Sequence, residues 1–284
     1  MLFDRKAGGN DPAYTTLRDR EDLKPHRDAV ELLWKKFEPY SDKHFKREFR
    51  DNFASRYWEM YLGCSLLGQG KKLKKKSAKG PDFAVDMEDG RTCWLEAVAP
   101  EEGSGIDAVP EMGNGGWQPI DKILLRIRSA ISDKYQKYRK YITDRVVGEN
   151  DPFLIGVNLN KVEFAIGDVD PPFIIQAVFP IGGLAVEFDT KTLDVVGQEY
   201  SHKSSVTKVS GVQIPTNIFL DPEYEGISAV LYSTVNAGRY SGQQEHDYKV
   251  VYNPMARNPL SNKWLTCSSI YWVENNRIQS RLGT

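Results

Sequence analysis

Cysteine is scarce in this chain, and what there is shows no ligand spacing. Cys64, Cys93 and Cys267 stand far apart with no CxxC pair. That argues against a disulfide framework and a cysteine-based zinc site, and it fits a reducing cytoplasm. The histidines His26, His44, His202 and His246 form no HExxH and no paired metal spacing, so each reads as structural or exposed. No GxSxG, Walker A or GxGxxG sequence occurs, which leaves nucleotide hydrolases and Rossmann oxidoreductases without support. Charge of one sign is missing too: the formal net charge is -1, so any attraction to nucleic acid has to come from local clustering of basic residues. No apolar run approaches the ~18–20 residues that span a bilayer, and the opening MLFDRKAGGNDPAY has no signal-peptide core. The expectation is a cytoplasmic protein with no membrane partner.

What remains is an ordinary globular composition, 40% apolar and 27% charged over 284 residues. That is enough chain to bury a sizeable core in one large domain or two smaller ones. Residues 1–25 are charged and broken by Gly8-Gly9-Asn10 and Pro12, and read as a loosely packed arm. Val30, Leu32, Leu33 and Phe37 predict a helix over 28–37. Ser41-Asp42 offers an N-cap for a longer helix over 43–67, whose stripe is Phe45, Phe49, Phe53, Met60, Cys64 and Leu67. Glu59 falls at the edge of that stripe, roughly 80–100° from its centre, where it can reach a neighbouring sheet without burying a charge.

After Gly68 and Gly70 comes the run Lys71-Lys72-Leu73-Lys74-Lys75-Lys76, with Lys79 close behind. Lysines of this kind either protect a sheet edge or contact phosphates; both readings stand. Strands are expected over 82–87 and 91–99, joined by the turn sequence Glu88-Asp89-Gly90. In the second strand Thr92, Trp94, Glu96 and Val98 share a face, and Cys93, Leu95, Ala97 and Ala99 share the other. A mostly apolar strand is covered on both sides, and a carboxylate inside it needs a partner, a metal or a proton. Glu96 is that carboxylate, and Asp82 starts the adjoining strand, so the hairpin brings two carboxylates to one edge, a candidate site for a hard divalent cation such as Mg²⁺.

Residues 101–116 read as a long glycine-rich, acidic loop beside this site. The clearest helix covers 119–144 with the stripe Ile120, Ile123, Ile127, Ile131, Lys134, Tyr138, Tyr141. Lys134 interrupts an apolar pattern: it either snorkels to water or aims at the carboxylates. Gln136 lies about 200° around the helix from it, so both cannot face one site. Residues 153–158 read as a buried strand. Beyond them, strands are possible over 173–179 (with some helix), 183–188 and 206–214, and better defined over 227–232 and 248–252. Trp117, Tyr135, Tyr138 and Tyr240 are candidates for base stacking, with core packing as the default.

The order helix, edge strand, strand, strand, helix, strand resembles the core of the PD-(D/E)XK nuclease superfamily. Pro81-Asp82 matches the PD, Glu96 matches the (D/E), and Glu59 matches an acidic residue that many members add from the preceding helix. The resemblance covers residues 43–159. It implies an α/β fold, a restriction-endonuclease-like core with a mixed central sheet flanked by helices. Residues 1–42 form an N-terminal arm and helix before this core, and 160–284 a mostly β elaboration packed on the same domain. It implies a Mg²⁺-dependent endonuclease (Mn²⁺ a possible substitute) acting on nucleic acid, DNA before RNA, with Glu59, Asp82 and Glu96 holding the metal, and a possible homodimer.

The sequence departs from the superfamily where a lysine is expected two residues after Glu96: Val98 stands there. Lys134 is the first candidate to supply that cation, followed by Lys122 and the 74–79 tract. Lys72, Lys74, Lys75, Lys76 and Lys79 are the candidate phosphate contacts. Two other readings remain open. One is a catalytically inactive module of this fold that binds nucleic acid or a protein partner, and the other is a scaffold whose acids form ion pairs.

Overall fold

Successive residues of a strand face opposite sides of a sheet, and the strand around Glu96 meets an apolar layer on each. Cys93, Leu95 and Ala97 join one buried cluster, while Trp94 and Val98 pack against a second. The structure is a computed structural model that describes every residue except 5, 7, 77, 78, 114–116, 241, 243–245 and 284. The end of the loop expected over 101–116 therefore lies outside the described residues.

Its helices are α1 (Pro12–Asp19), α2 (Lys24–Phe37), α3 (Phe45–Asp51), α4 (Phe53–Gly68), α5 (Ile120–Thr143) and α6 (Phe173–Val178). The strands are β1 (Lys72–Leu73), β2 (Phe83–Asp86), β3 (Thr92–Val98), β4 (Phe153–Asn158), β5 (Ile181–Phe188) and β6 (Val195–His202). They continue with β7 (Ser205–Thr207), β8 (Gln213–Pro215), β9 (Ala229–Ser233), β10 (Tyr248–Tyr252), β11 (Ser269–Glu274) and β12 (Arg277–Leu282).

Eight strands form one mixed sheet in the order β1-β2-β3-β4-β9-β10-β11-β12. β3, β4 and β9 run parallel, as do β10 and β11, and the remaining neighbours are antiparallel. α1 to α4 cover one face and α5 and α6 the other. β5–β6 and β7–β8 are separate two-stranded sheets. The molecule is thus α/β, with a mixed central sheet flanked by helices and extra C-terminal strands. No helix among the described residues is long and apolar enough to cross a membrane.

Four expectations are corrected. The N-terminal segment is no loose arm: Leu2 and Phe3 are buried, their backbone N–H groups donate to Glu31 Oε1 at 2.7 and 2.9 Å, and Phe3 stacks on Tyr14. Its breakers instead mark a helix start, with Asp11 capping α1 and Pro12 in the first turn. The helix expected over 43–67 is two helices, broken at Asn52 (φ -138°, ψ 57°). The carboxylate of Asp11, distant in sequence, accepts the Phe53 N–H at 2.9 Å and so satisfies one of the orphan donors of α4. The aromatic stripe crosses the break intact, Phe45 on Phe49 and Phe49 on Phe53.

Glu59 is not at a solvent edge but 4% exposed. α4 packs against α2, α3, β1 and β3 together, and residues 57–66 are all buried. Residues 173–178 are helical rather than a strand, where Asp168 Oδ1 accepts the Phe173 N–H at 2.9 Å. β6, β11 and β12 were not anticipated; β6 and β12 are mostly exposed and mix polar with apolar residues, whereas β11 (SIYWVE) is a short, half-buried apolar run.

Candidate functional site

Antiparallel pairing of Phe83 with Leu95 sets Asp82 across from Glu96 at the open end of the hairpin. At the other end Gly90 adopts φ 84°, the left-handed region where glycine carries no Cβ penalty. Asp82 is anchored by its own neighbour strand: Oδ2 accepts the Ala97 N–H at 2.8 Å. Its other oxygen faces α4, where Lys76 Nζ sits 2.9 Å from Asp82 Oδ1 and 2.6 Å from Glu59 Oε1. Glu59 Oε2 accepts from Arg56, which also pairs with Glu48.

Glu96 is fully buried and turns the opposite way, toward α5. Lys134 Nζ lies 2.6 Å from its Oε2, Lys137 Nζ 3.1 Å from its Oε1, and the Tyr141 hydroxyl donates to Oε1 at 2.7 Å. The result is a chain of alternating charges that passes from α4 around the hairpin to α5. Between the two helices opens a cleft of about 300 Å³ lined by Asn52, Ser55, Glu59, Asp82, Val98 and Lys134.

Burial and neighbouring charge tune these groups in different directions. Burial pushes the Glu59 carboxyl above its usual range, the Asp82 charge adds to this, and Lys76 and Arg56 only partly oppose it. Burial acts the same way on Asp82, but Lys76, Lys134 and the Ala97 N–H outweigh it and hold that carboxyl below its usual range. Burial disfavours the Lys76 ammonium, yet Asp82 and Glu59 more than reverse this and raise its pKa. The Tyr141 phenol is raised by burial and by Glu96.

A carboxyl whose pKa is raised by folding binds its proton more tightly when folded, so its ionisation costs stability once the pH passes its ordinary range. Glu59→Gln is therefore expected to melt at or above the wild-type temperature at about pH 7, well above the ordinary glutamate pKa. Thermal melts followed by circular dichroism check this, and a lower melting temperature at that pH counts against it.

Each residue singled out in the sequence has a definite place. Lys134 reaches the carboxylates, while Lys122 does not: its ammonium donates to the Ile106 carbonyl at 2.9 Å. Gln136 is exposed on the far side of α5. Of the lysine run, Lys74 pairs with Asp86 at 2.8 Å along the sheet edge, and Lys72, Lys75 and Lys79 are exposed. Lys76 turns inward to the carboxylates, and Lys71 packs over the Trp264 ring. Tyr135 and Tyr138 belong to the core under α5, and Trp117 is 98% exposed.

Arg56, Lys137 and Tyr141 were missed as site residues. A signal existed for two of them, because Lys137 and Tyr141 follow Lys134 by three and seven residues on one helix face. Lys76 was singled out as a phosphate contact and, within the 74–79 tract, as a weaker candidate for the site's cation.

Among the described residues no three His, Cys, Asp or Glu side chains meet as a ready-made metal cluster. The donor chemistry nevertheless fits a hard cation: Glu59 Oε1 and Asp82 Oδ1, from two elements, converge on a single positive charge, the Lys76 ammonium. Two carboxylate oxygens would supply part of an octahedral Mg²⁺ shell, which takes its remaining oxygens from water or phosphate. Comparison with protein-family models, curated proteins and solved structures finds no match to this chain in any of the three.

Proposed function

We propose that this protein is a Mg²⁺-dependent endonuclease with a restriction-endonuclease-like core, hydrolysing phosphodiester bonds in DNA. The observation that carries the reading is the meeting, around one cleft, of Glu59 from α4 and Asp82 from the hairpin with Lys134 of α5, which is itself held by the buried Glu96 behind it. Glu59 and Asp82 would hold the ion, with Glu96 beside them. Bound there, Mg²⁺ would stabilise charge on the phosphate and lower the pKa of water.

The chain supplies the rest. Lys134, 2.6 Å from Glu96 and lining the cleft, provides the cation that Val98 cannot, and orients a water or a phosphoryl oxygen through its ammonium N–H groups. Glu96 and Tyr141 fix where that ammonium points. Lys72, Lys74, Lys75 and Lys79, exposed along and beyond the β1 edge, would contact backbone phosphates, so binding is expected to weaken with salt.

Plasmid DNA incubated with Mg²⁺ or Mn²⁺ is cut by the wild-type protein and not by Glu96→Ala. No metal-dependent cleavage of any DNA or RNA offered, or equal cleavage by the variant, overturns the proposal. Lys134→Met is expected to cut about 10²–10⁴-fold more slowly, the scale of a positioned proton-transfer group.

Lys76 occupies the position between the oxygens assigned to the ion and has to leave it. Lys76→Met is therefore expected to bind Mn²⁺ at least about tenfold more tightly, 1.4 kcal/mol, by electron paramagnetic resonance titration. Unchanged or weaker binding would remove Lys76 as a competitor.

A second reading, a non-catalytic module that binds nucleic acid or a protein partner, is favoured by one observation. Each of Glu59, Asp82 and Glu96 is already paired with lysine or arginine of the chain itself. Salt-dependent DNA binding without hydrolysis, together with no Mn²⁺ affinity in Lys76→Met, would select it.

A further inference from the structure

The β5–β6 ribbon stands apart from the main sheet and has two unlike faces. Leu184 pairs with Tyr200, Val186 with Gln198 and, past a register shift that inserts Val196, Phe188 with Val195; directly paired residues share a face, so these six side chains lie on one side. The reverse side carries Ala185, Glu187, Gly197 and Glu199. One face is therefore uncharged and almost wholly apolar, the other acidic.

The apolar face lies in water. Leu184 is 45% exposed, Val186 37%, Phe188 56%, Val195 53% and Tyr200 46%, and Leu193 at the tip is 75% exposed. Only the root of the ribbon is tied down, by Ile181 against the α5-side core, by the Tyr200 hydroxyl donating to Asp170 at 3.0 Å, and by the Lys203 N–H donating to Pro180 O at 3.1 Å. A two-stranded ribbon is marginally stable in water unless something covers its apolar side.

We propose that the uncharged face of the β5–β6 ribbon is a self-association surface, packed in solution against the same face of a second copy of this chain about a twofold axis. Area supports this occupant. With a full aromatic side chain worth ~150–250 Å² and an aliphatic one somewhat less, the six exposed apolar side chains leave roughly 600 Å² in water. That is at the top of the ~300–600 Å² range for the largest patch on a monomer. A twofold contact would bury about double, roughly 1,200 Å², at the lower bound of specific protein interfaces.

Charge supports it as well. In an isologous contact the same patch meets itself, residue i against residue j and j against i, so a face whose charges share one sign opposes its like. This face carries none. A nucleic-acid occupant would need cations here, and the reverse face instead presents Glu187 and Glu199.

The test uses the full chain in sedimentation equilibrium from about 1 to 100 μM, a range in which interfaces near this size can dissociate. Wild-type protein is expected at the dimer mass, and Val186→Asp/Phe188→Asp at the monomer mass. A monomer at every wild-type concentration overturns the proposal, leaving the face to some other partner, as does a variant that remains dimeric. A second measurement does not depend on how the charged variant folds. Cys64, Cys93 and Cys267 are buried, so Val186→Cys on the apolar face is expected to give a disulfide-linked dimer on oxidation, and Glu187→Cys on the reverse face is not. Cross-linking of both, or of neither, overturns the proposal. None of these readouts involves cleavage or metal, so the result stands apart from the proposed activity.

Discussion

Asp82→Asn is expected to reduce the proposed metal-dependent cleavage at least about a hundredfold, the scale on which removal of one electrostatic stabiliser acts, while the protein remains folded. Asp82 is the residue at which the two halves of the site meet. It shares Lys76 with Glu59, takes the Ala97 N–H of the neighbouring strand, and feels the charge of Lys134. Asparagine keeps the shape and can still accept from Ala97, but it removes the charge. The loss should fall on kcat and on metal affinity together.

Stability changes by less, and its pH dependence has a defined sign. A carboxyl held below its usual range stabilises the fold above its unfolded pKa, and that contribution is lost as pH falls through the folded value. The melting-temperature deficit of Asp82→Asn is therefore expected in full at neutral pH, begins to shrink as the pH falls toward about 4, and vanishes only below the lowered folded pKa. A deficit that persists unchanged in acid would mean that the charge is not what Asp82 contributes.

Trp58→Ala is expected to cost about 3–5 kcal/mol, the range for truncating a buried aromatic. Trp58 is fully buried and its indole N–H donates to the Gly156 carbonyl of β4 at 3.0 Å. The contact is close because β4 has no side chain there: a Cβ on Gly156 would meet Leu62 Cδ1 at 2.7 Å and Trp58 Cζ2 at 3.5 Å. α4 is thereby seated on the sheet at the residue before Glu59. Truncation opens a large cavity and removes the hydrogen bond from the indole to β4. At about 2–4 °C per kcal/mol the melting temperature falls by roughly 6–20 °C. Trp58→Phe, which keeps most of the volume, should lose less. Calorimetry that finds Trp58→Ala within about 1 kcal/mol of wild type would mean that something else holds α4 in place.

How much of this was readable in the sequence varied with how local the cause was. The hairpin was legible because alternation within 91–99 and the Glu-Asp-Gly turn are short-range signals. Lys134 was legible because a charge interrupting an apolar helical stripe stands out against its neighbours. Glu59 was found, but its burial was not, since one stripe cannot reveal that a helix is covered by several elements at once. Lys76 sits in a run of similar lysines, and only the tertiary approach of Glu59 and Asp82 distinguishes it from Lys75. The break at Asn52 depends on Asp11, far away in the chain, and the N-terminal segment owes its order to a few apolar side chains that are each completely buried. β12 was hidden for the opposite reason: at the edge of the sheet, residues such as Arg277, Gln279 and Ser280 can remain polar.

The account turns on whether the oxygens around Lys76 form a metal site. Crystals of the wild-type protein equilibrated with Mn²⁺ and measured at a wavelength where manganese scatters anomalously test this most directly. The predicted result is an anomalous peak in contact with Glu59 and Asp82, with the Lys76 ammonium displaced from between them. An ammonium still bridging Glu59 Oε1 and Asp82 Oδ1 at saturating Mn²⁺, with no peak beside either carboxylate, would contradict the account.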